Sequence, residues 1–533
     1  MKRKLHCLAI CLLLCAVSNT ATFASETPIV TPRRGGTLHL ASPSDIQSLD
    51  PAIAYDTFSW PLVRLLFGQL LDYDDATGLV TAQAKDWNIS PEGRTYTFHL
   101  CPGVRFANGR EVEAADYVFA FERILSPKTG SPGQTFFLDI KGAQEFVDGK
   151  ATHVAGLRAP DKATLIIELK APRFTFRYVL AMPFASVVPR EVVQQYGNDF
   201  QYHLIGSGPY RLTECRRGVS WRLERNPYYQ GTDGFVDAVE VMIGCDQTTM
   251  TMMLERGEID QVASASPAQA IQFKRDPRLR SWLTLVDVVE TDYLFMNTEM
   301  KPFDDVRVRQ AVNYAINRER LPKLAGGFAT AAHGIVPPSM PWSNPDLPRY
   351  EFSPEKARAL LREAGYPHGF KTELWCQTDV PILVRLAEGI QQDFRQVGIQ
   401  AELKPVNSAA FFEKAGTPHQ IPFGISSWFQ DYPDPSDFLD ALLNGERITG
   451  TECNNWAFYN NPEVNQCLDA AAKSMNPEER TRLFRQAESL VMQDVPWAPL
   501  IHEQYPILYH PRVHGTEPHP VWLYRYERMW LDP

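Results

Sequence analysis

Apolar and polar residues alternate with period two at residues 36–41, 96–100, 220–224 and 239–243, so these stretches predict half-buried strands. Farther along the chain the period lengthens. Ala357, Leu360, Leu361 and Ala364 recur at helical spacing after Ser353 and Pro354, a cap and a first-turn proline, and Gly365 stops the run. Leu383, Leu386, Ala387, Ile390, Phe394 and Val397 predict the apolar face of a second helix, ended by Gly398. Asn476-Pro-Glu-Glu479 opens a third in capping-box order, with Leu483, Ala487, Leu490 and Val491 facing inward.

Helix followed by strand, from Val384 through residues 400–403 to residues 423–426, is the texture of a mixed or parallel sheet covered by helices. No period of about 20–50 residues recurs, which excludes a repeat architecture. A chain of 533 residues exceeds a single core and implies two to four domains. Its 41 prolines fall mostly in short loop signals such as Pro337-Pro338 and Tyr432-Pro433-Asp434-Pro435, which reads as stiffened connections.

The N-terminus reads as a signal peptide, residues 1–24. Lys2, Arg3 and Lys4 precede an apolar run, Leu5 to Val17, and small residues at Thr22 and Ala24 suit cleavage. Leu14 before Cys15 disfavours lipoprotein processing, so a free periplasmic protein is expected. The leader carries three bases and no acid, so its removal takes the formal charge from −10 to −13, which argues against nucleic acid or anionic membrane as partner. Cys101, Cys215, Cys245, Cys376, Cys453 and Cys467 remain. In an oxidising compartment they allow disulfides, Cys453–Cys467 first and Cys215–Cys245 second, with buried free thiols as the alternative.

Catalytic signatures are missing: no H-E-x-x-H, G-x-S-x-G, Walker loop or G-x-G-x-x-G occurs, and Gly206-Ser-Gly208 before Pro209 reads as a turn. His502, His510, His514 and His519 cluster in sequence, but prolines interrupt them and no metal is expected there. Asp431, Asp434, Asp437 and Asp440 recur every third residue, without the glycine and late glutamate of a calcium loop. Asp431 instead follows an aromatic strand whose edge can pair with an extended peptide, and a carboxylate at that edge can take an ammonium. On the residues alone, an Asx turn through Pro433 and Pro435 is the stronger reading of Asp431.

The order reverses once longer motifs are compared. Gln47-Ser-Leu-Asp-Pro51, the stretch 96–109 followed by Ala115-Asp-Tyr-Val-Phe119, Gly206-Ser-Gly-Pro-Tyr210, Arg225-Asn-Pro-Tyr-Tyr229, Gly257-Glu-Ile-Asp260 and the stretch 303–316 occur in that order. Together they resemble the family 5 extracellular solute-binding proteins of ABC importers, the oligopeptide- and dipeptide-binding proteins. In residues 303–316 the residues agree independently: Asp304 and Asp305 suit a helix start, and Val308, Ala311, Val312 and Ala315 its buried face.

The resemblance implies an α/β, two-lobed periplasmic-binding-protein fold (cluster C type) with an extra subdomain inserted in the first lobe. Lobe I would comprise 26–57, 196–285 and 505–533, the extra subdomain 58–195, and lobe II 286–504. It further implies ligand capture by hinge closure, a peptide or peptide-like ligand, delivery to an ABC permease in the inner membrane, a monomer, and no catalysis, cofactor or metal. Asp431 matches the residue that binds the ligand's amino terminus, Ser427, Trp428 and Phe429 the strand that pairs with its backbone. Dipeptide-specific relatives carry an arginine for the ligand carboxylate near residues 376–381. Here Gln377-Thr-Asp-Val-Pro381 has none, which favours a longer or modified peptide. Nickel chelate, haem, glutathione or sugar are alternative cargoes, and a periplasmic peptide hydrolase is the rival of another class.

Overall fold

The computed structural model describes residues 31–340, 342–448 and 453–532; the expected leader lies outside them. The compact unit begins at Arg33 and contains three main sheets.

The first sheet has four strands. Thr37–Ser42 lies parallel to Ala238–Ile243, which pairs antiparallel with Ser220–Arg225, and Tyr210–Arg216 closes the edge. Leu38 and Leu40 are buried, as the alternation predicts. Just before the edge strand, Gly206 and Gly208 let the chain press against the end of helix Ser59–Leu66. A Cβ at Gly206 would stand 2.0 Å from the Leu66 carbonyl oxygen. The Gly-Ser-Gly triplet is therefore a close-approach site.

The second sheet joins Ala84–Ile89, Thr95–Leu100, Thr164–Glu168 and Leu157–Arg158. It packs Tyr96, Phe98, Leu165 and Ile167 against helix Ala114–Leu125, which Glu113 and Asp116 cap reciprocally.

The third sheet has eight strands. Its centre is Glu290–Met296, buried along its whole length between Trp497–Tyr509 and Phe423–Phe429, both antiparallel to it. A bulge shifts the register with the longer neighbour between Asp292 and Tyr293. Lys371–Gln377 and Gln400–Val406 extend the sheet in parallel. Leu283–Asp287 pairs with the same long strand, placing Leu285 opposite Pro506 and Val286 opposite Tyr505.

The expected helices form with their expected caps. Ser353 accepts from the Lys356 N–H, and Pro354–Glu363 ends before Gly365 at φ +90°. Asp305 accepts from the Arg307 N–H and starts Val306–Ala315, whose Val308, Ala311, Val312 and Ala315 are fully buried. Such a cap contributes about 1 kcal/mol, and each buried valine roughly 1.5–3 kcal/mol. Asn476 caps Pro477–Asp494 by accepting from Glu478 and Glu479 N–H groups, but the reciprocal arm differs. Glu479 takes the Ser474 hydroxyl instead, at 2.7 Å.

The expected disulfides are not formed. Cys215 and Cys245 are free thiols because Ser220–Arg225 separates the strand bearing Cys215 from the one leading to Cys245. Two strand spacings, about 9–10 Å, exceed the roughly 7 Å that a disulfide can bridge between Cα atoms. Cys467 is a free thiol packed in the apolar face of Pro462–Lys473, while Cys453 Sγ lies 3.8 Å from the Asn455 carbonyl.

Candidate binding cleft

Strand Phe423–Phe429 positions the site. It follows Glu290–Met296 rung by rung from Met296–Phe423 to Glu290–Phe429, whereas Lys371–Gln377 pairs with it only at Trp375–Gly424. Residues 426–429 therefore pair along one edge only, the geometry that β-augmentation requires.

Asp431 stands just past this strand. Its Oδ1 accepts from the Tyr55 hydroxyl at 2.7 Å, joining segments 376 residues apart. Its backbone N–H donates to Asp437 Oδ2 at 2.9 Å, and the Trp428 indole donates to the same oxygen at 3.2 Å. Asp437 thus fixes both the bend and the indole. Burial pushes the Asp431 carboxyl up to about 7, against the Tyr55 hydrogen bond, which pulls it down. Burial and then the Asp431 charge raise Asp437 as well. Asp431 is a half-desolvated acid with one donor, which leaves acceptor capacity for a cation.

A cavity of about 190 Å³ opens there, walled by Tyr55, Trp60, Trp428, Phe429, Asp431 and Trp522. A neighbouring cavity of about 300 Å³ shares Thr57 and Leu523 with it and reaches Ser42, Ser44, Gln247 and Tyr505. Together they reach the size of small-ligand sites, roughly 300–1,000 Å³. The aromatic walls are held from behind: Trp522 donates to Asp72 at 2.9 Å and carries the Arg64 guanidinium 4.1 Å above its ring.

Of the four expected site residues, Trp428, Phe429 and Asp431 line the first cavity; Ser427 does not. Ser427 stands opposite Asp292 in register; burial raises the Glu290 carboxyl, and the Ser427 hydroxyl is among the groups that lower it. Tyr55, Trp60 and Trp522 escaped the sequence reading. Tyr55 and Trp60 follow the Gln47–Pro51 motif closely, but only the folded chain brings them to Asp431.

The remaining acids of the period-three run serve the scaffold. Both Asp434 oxygens accept from Arg480 Nη2, at 2.8 and 2.6 Å, in a pair buried on both sides. Asp440 meets Arg447 at 2.9 Å and Arg173 at 3.3 Å. The four C-terminal histidines do not converge: His519 bonds the Asp74 carbonyl, while His502 lies beside Glu290 in the central sheet. Among the described residues, metal-competent side chains gather at Glu290, Asp292 and Glu503. In the segment 376–381, Gln377 donates to Ser426 at 2.8 Å and Asp379 accepts from Ser408.

A family model described as bacterial extracellular solute-binding proteins, family 5 (middle), matches residues 78–450. The glutathione-binding protein GsiB of Salmonella typhi is 30% identical over 467 residues, covering 86% of this chain and 88% of the relative. Among solved structures, clavulanic acid biosynthesis oligopeptide binding protein 2 aligns at 28% identity with a TM-score of 0.88, covering 94% of this chain and 96% of that one. The DppA periplasmic binding protein of Helicobacter pylori, in complex with the peptide STSA, aligns at 26% identity with a TM-score of 0.80 over 94% and 99% of the two chains.

Proposed function

The chain belongs to the family 5 bacterial extracellular solute-binding proteins, and within that family we propose that it captures the free amino end of a peptide or peptide-like solute at Asp431. The fold is the two-lobed periplasmic-binding-protein fold of its solved relatives, and the role is solute capture for an ABC importer. We assign the lobes as 33–57, 196–285 and 505–532 against 286–504, with 58–195 as the added subdomain. Both crossings then fall on adjacent rungs of one ladder, Leu285–Pro506 and Val286–Tyr505. The chain acts after export, as a monomer, and passes its closed, loaded form to the inner-membrane permease.

The observation that carries this reading is the Tyr55–Asp431 contact over an aromatic cavity. It supports the reading because Tyr55, from one proposed lobe, meets Asp431, from the other, and leaves that acid acceptor capacity. An ammonium entering there gains a charge-assisted hydrogen bond in a desolvated site. The unpaired edge of residues 426–429 offers backbone groups to the rest of an extended ligand.

Glutathione is the second cargo to weigh, because a relative at 30% identity is a glutathione-binding protein. Its γ-glutamyl amine would use the same acid.

The test is native mass spectrometry of the protein purified from the periplasm, followed by tryptophan-fluorescence titration. Free-amine peptides are expected to quench or shift the emission, and their N-acetylated forms to bind at least tenfold more weakly. Equal binding of both forms would overturn the assignment of Asp431 while leaving family membership intact.

A further inference from the structure

Glu290, Asp292 and Glu503 converge in the middle of the large sheet, outside the aromatic cavity. One carboxylate oxygen from each lies within 4.8 Å of the others. Glu290 and Asp292 project from the central strand, Glu503 from its long neighbour, just ahead of the rungs where the lobes are proposed to part.

Two observations separate this trio from an ordinary acidic patch. Asp292 is fully buried, and neither of its oxygens meets an amide, hydroxyl or basic donor among the described residues; the group it shares a hydrogen bond with is the Glu503 carboxyl, itself an acid. Buried carboxylates almost always accept from something, because an unmade bond leaves the whole desolvation cost standing. The strand is also bulged at this residue, between Asp292 and Tyr293, a distortion that re-aims side chains.

The surroundings supply oxygen and no compensating base in direct contact. The Tyr505 hydroxyl donates to Glu290 Oε2 at 2.8 Å, and Ser427 bonds the same carboxylate. Burial, and then the Glu290 charge, push the Glu503 carboxyl up to about 8; Arg385 opposes this only from a distance, while its Nε donates to the Leu324 carbonyl. His502 sits behind the strand, with Nδ1 beside the Glu290 carbonyl.

We propose that Glu290, Asp292 and Glu503 form a binding site for a hard divalent cation of calcium type. Oxygens bound to one calcium ion at about 2.3–2.6 Å stand up to roughly 4.8 Å apart, which matches the spread of the three acids. Three carboxylates with hydroxyls at the margin form the oxygen set that calcium or manganese takes over zinc or copper. The ion would tie Glu503 to the central strand beside the crossings, and so stiffen the base of the cleft without touching the amine site.

The test uses the full mature chain, stripped with chelator. Equilibrium dialysis with Ca²⁺ is expected to give one ion per chain, and Ca²⁺ to raise the melting temperature saturably by several degrees. Mn²⁺ should bind at the same stoichiometry, read by electron paramagnetic resonance, and be displaced by Ca²⁺. Asp292→Asn should abolish ion binding and leave binding of a free-amine peptide within about twofold. Should that variant fail to fold, Glu503→Gln takes its place under the same criteria. Zero bound ions in the wild type overturns the proposal. So does a melting shift that persists in the folded variant, or a variant that melts higher with no ion effect in either protein, the signature of acids sharing protons alone.

Discussion

Asp431 and Asp434 stand three residues apart in one bend and solve opposite problems. Asp434 is closed on all sides: Arg480 grips both oxygens, and the Ser436 N–H and hydroxyl complete the set at 3.0 and 2.6 Å. Asp431 has one donor from its own protein, Tyr55, and faces a cavity. A buried acid with full partners holds the chain in place, whereas a half-buried acid with one donor keeps capacity for a ligand.

Breaking the closed side should have the largest effect. Asp434→Ala leaves the Arg480 guanidinium buried and unpaired, and is expected to cost about 3–5 kcal/mol in denaturant unfolding. Peptide affinity of the molecules that remain folded should hold. Unchanged stability would show that the pair is dispensable and the contrast false.

Asp431→Asn should do the reverse. Affinity for a free-amine peptide is expected to fall by about 2–5 kcal/mol by calorimetry, without loss of stability. Burial holds this carboxyl at about 7 in the folded chain, above its ordinary value of 3.8. A raised acid gives up stability as pH climbs from about 4 to 7, a loss the asparagine variant lacks. If Asp434→Ala and Asp431→Asn both unfolded the chain and both spared binding, the distinction would be gone.

The same shift sets a pH dependence. The carboxylate is the form that takes an ammonium, so protons compete with ligand below about 7. Affinity should weaken by up to tenfold per pH unit from 7 downward, and Asp431→Asn should flatten the profile. A flat wild-type profile between 8 and 5 would place the amine elsewhere.

The smallest change expected is Tyr55→Phe. It removes one hydroxyl that bridges the cleft, worth about 0.5–1.5 kcal/mol in ligand affinity. Small-angle scattering of the unliganded variant should show a larger radius of gyration; an unchanged radius would mean that this contact does not hold the lobes together.

Local order was legible because it is written in neighbours. Ser353, Asp305 and Asn476 announce their helices within four residues, and each caps the helix it precedes. Leu38 and Leu40 mark their strand by alternation alone. The site was legible only in half, since Trp428, Phe429 and Asp431 lie on one strand and bend, while Tyr55 and Trp522 arrive from distant segments. The Ser427 side chain lies outside the cavity, and the part expected of it, backbone pairing with a ligand, does not depend on where that side chain points. The Cys215–Cys245 pairing failed because it supposes neighbouring strands, and sheet order inserts a strand between them.

The rung where Leu285 faces Pro506 has one more consequence. Pro506 turns its carbonyl to the Ala265 N–H on the other side of the long strand, so this rung carries no hydrogen bond between the two crossings where the halves are proposed to swing apart. Two strands lying side by side resist twisting but fold readily about the line that crosses them both. The motion left to the molecule is thus a clamshell about one axis, and its stiffness is set by how many such ties the ribbon keeps.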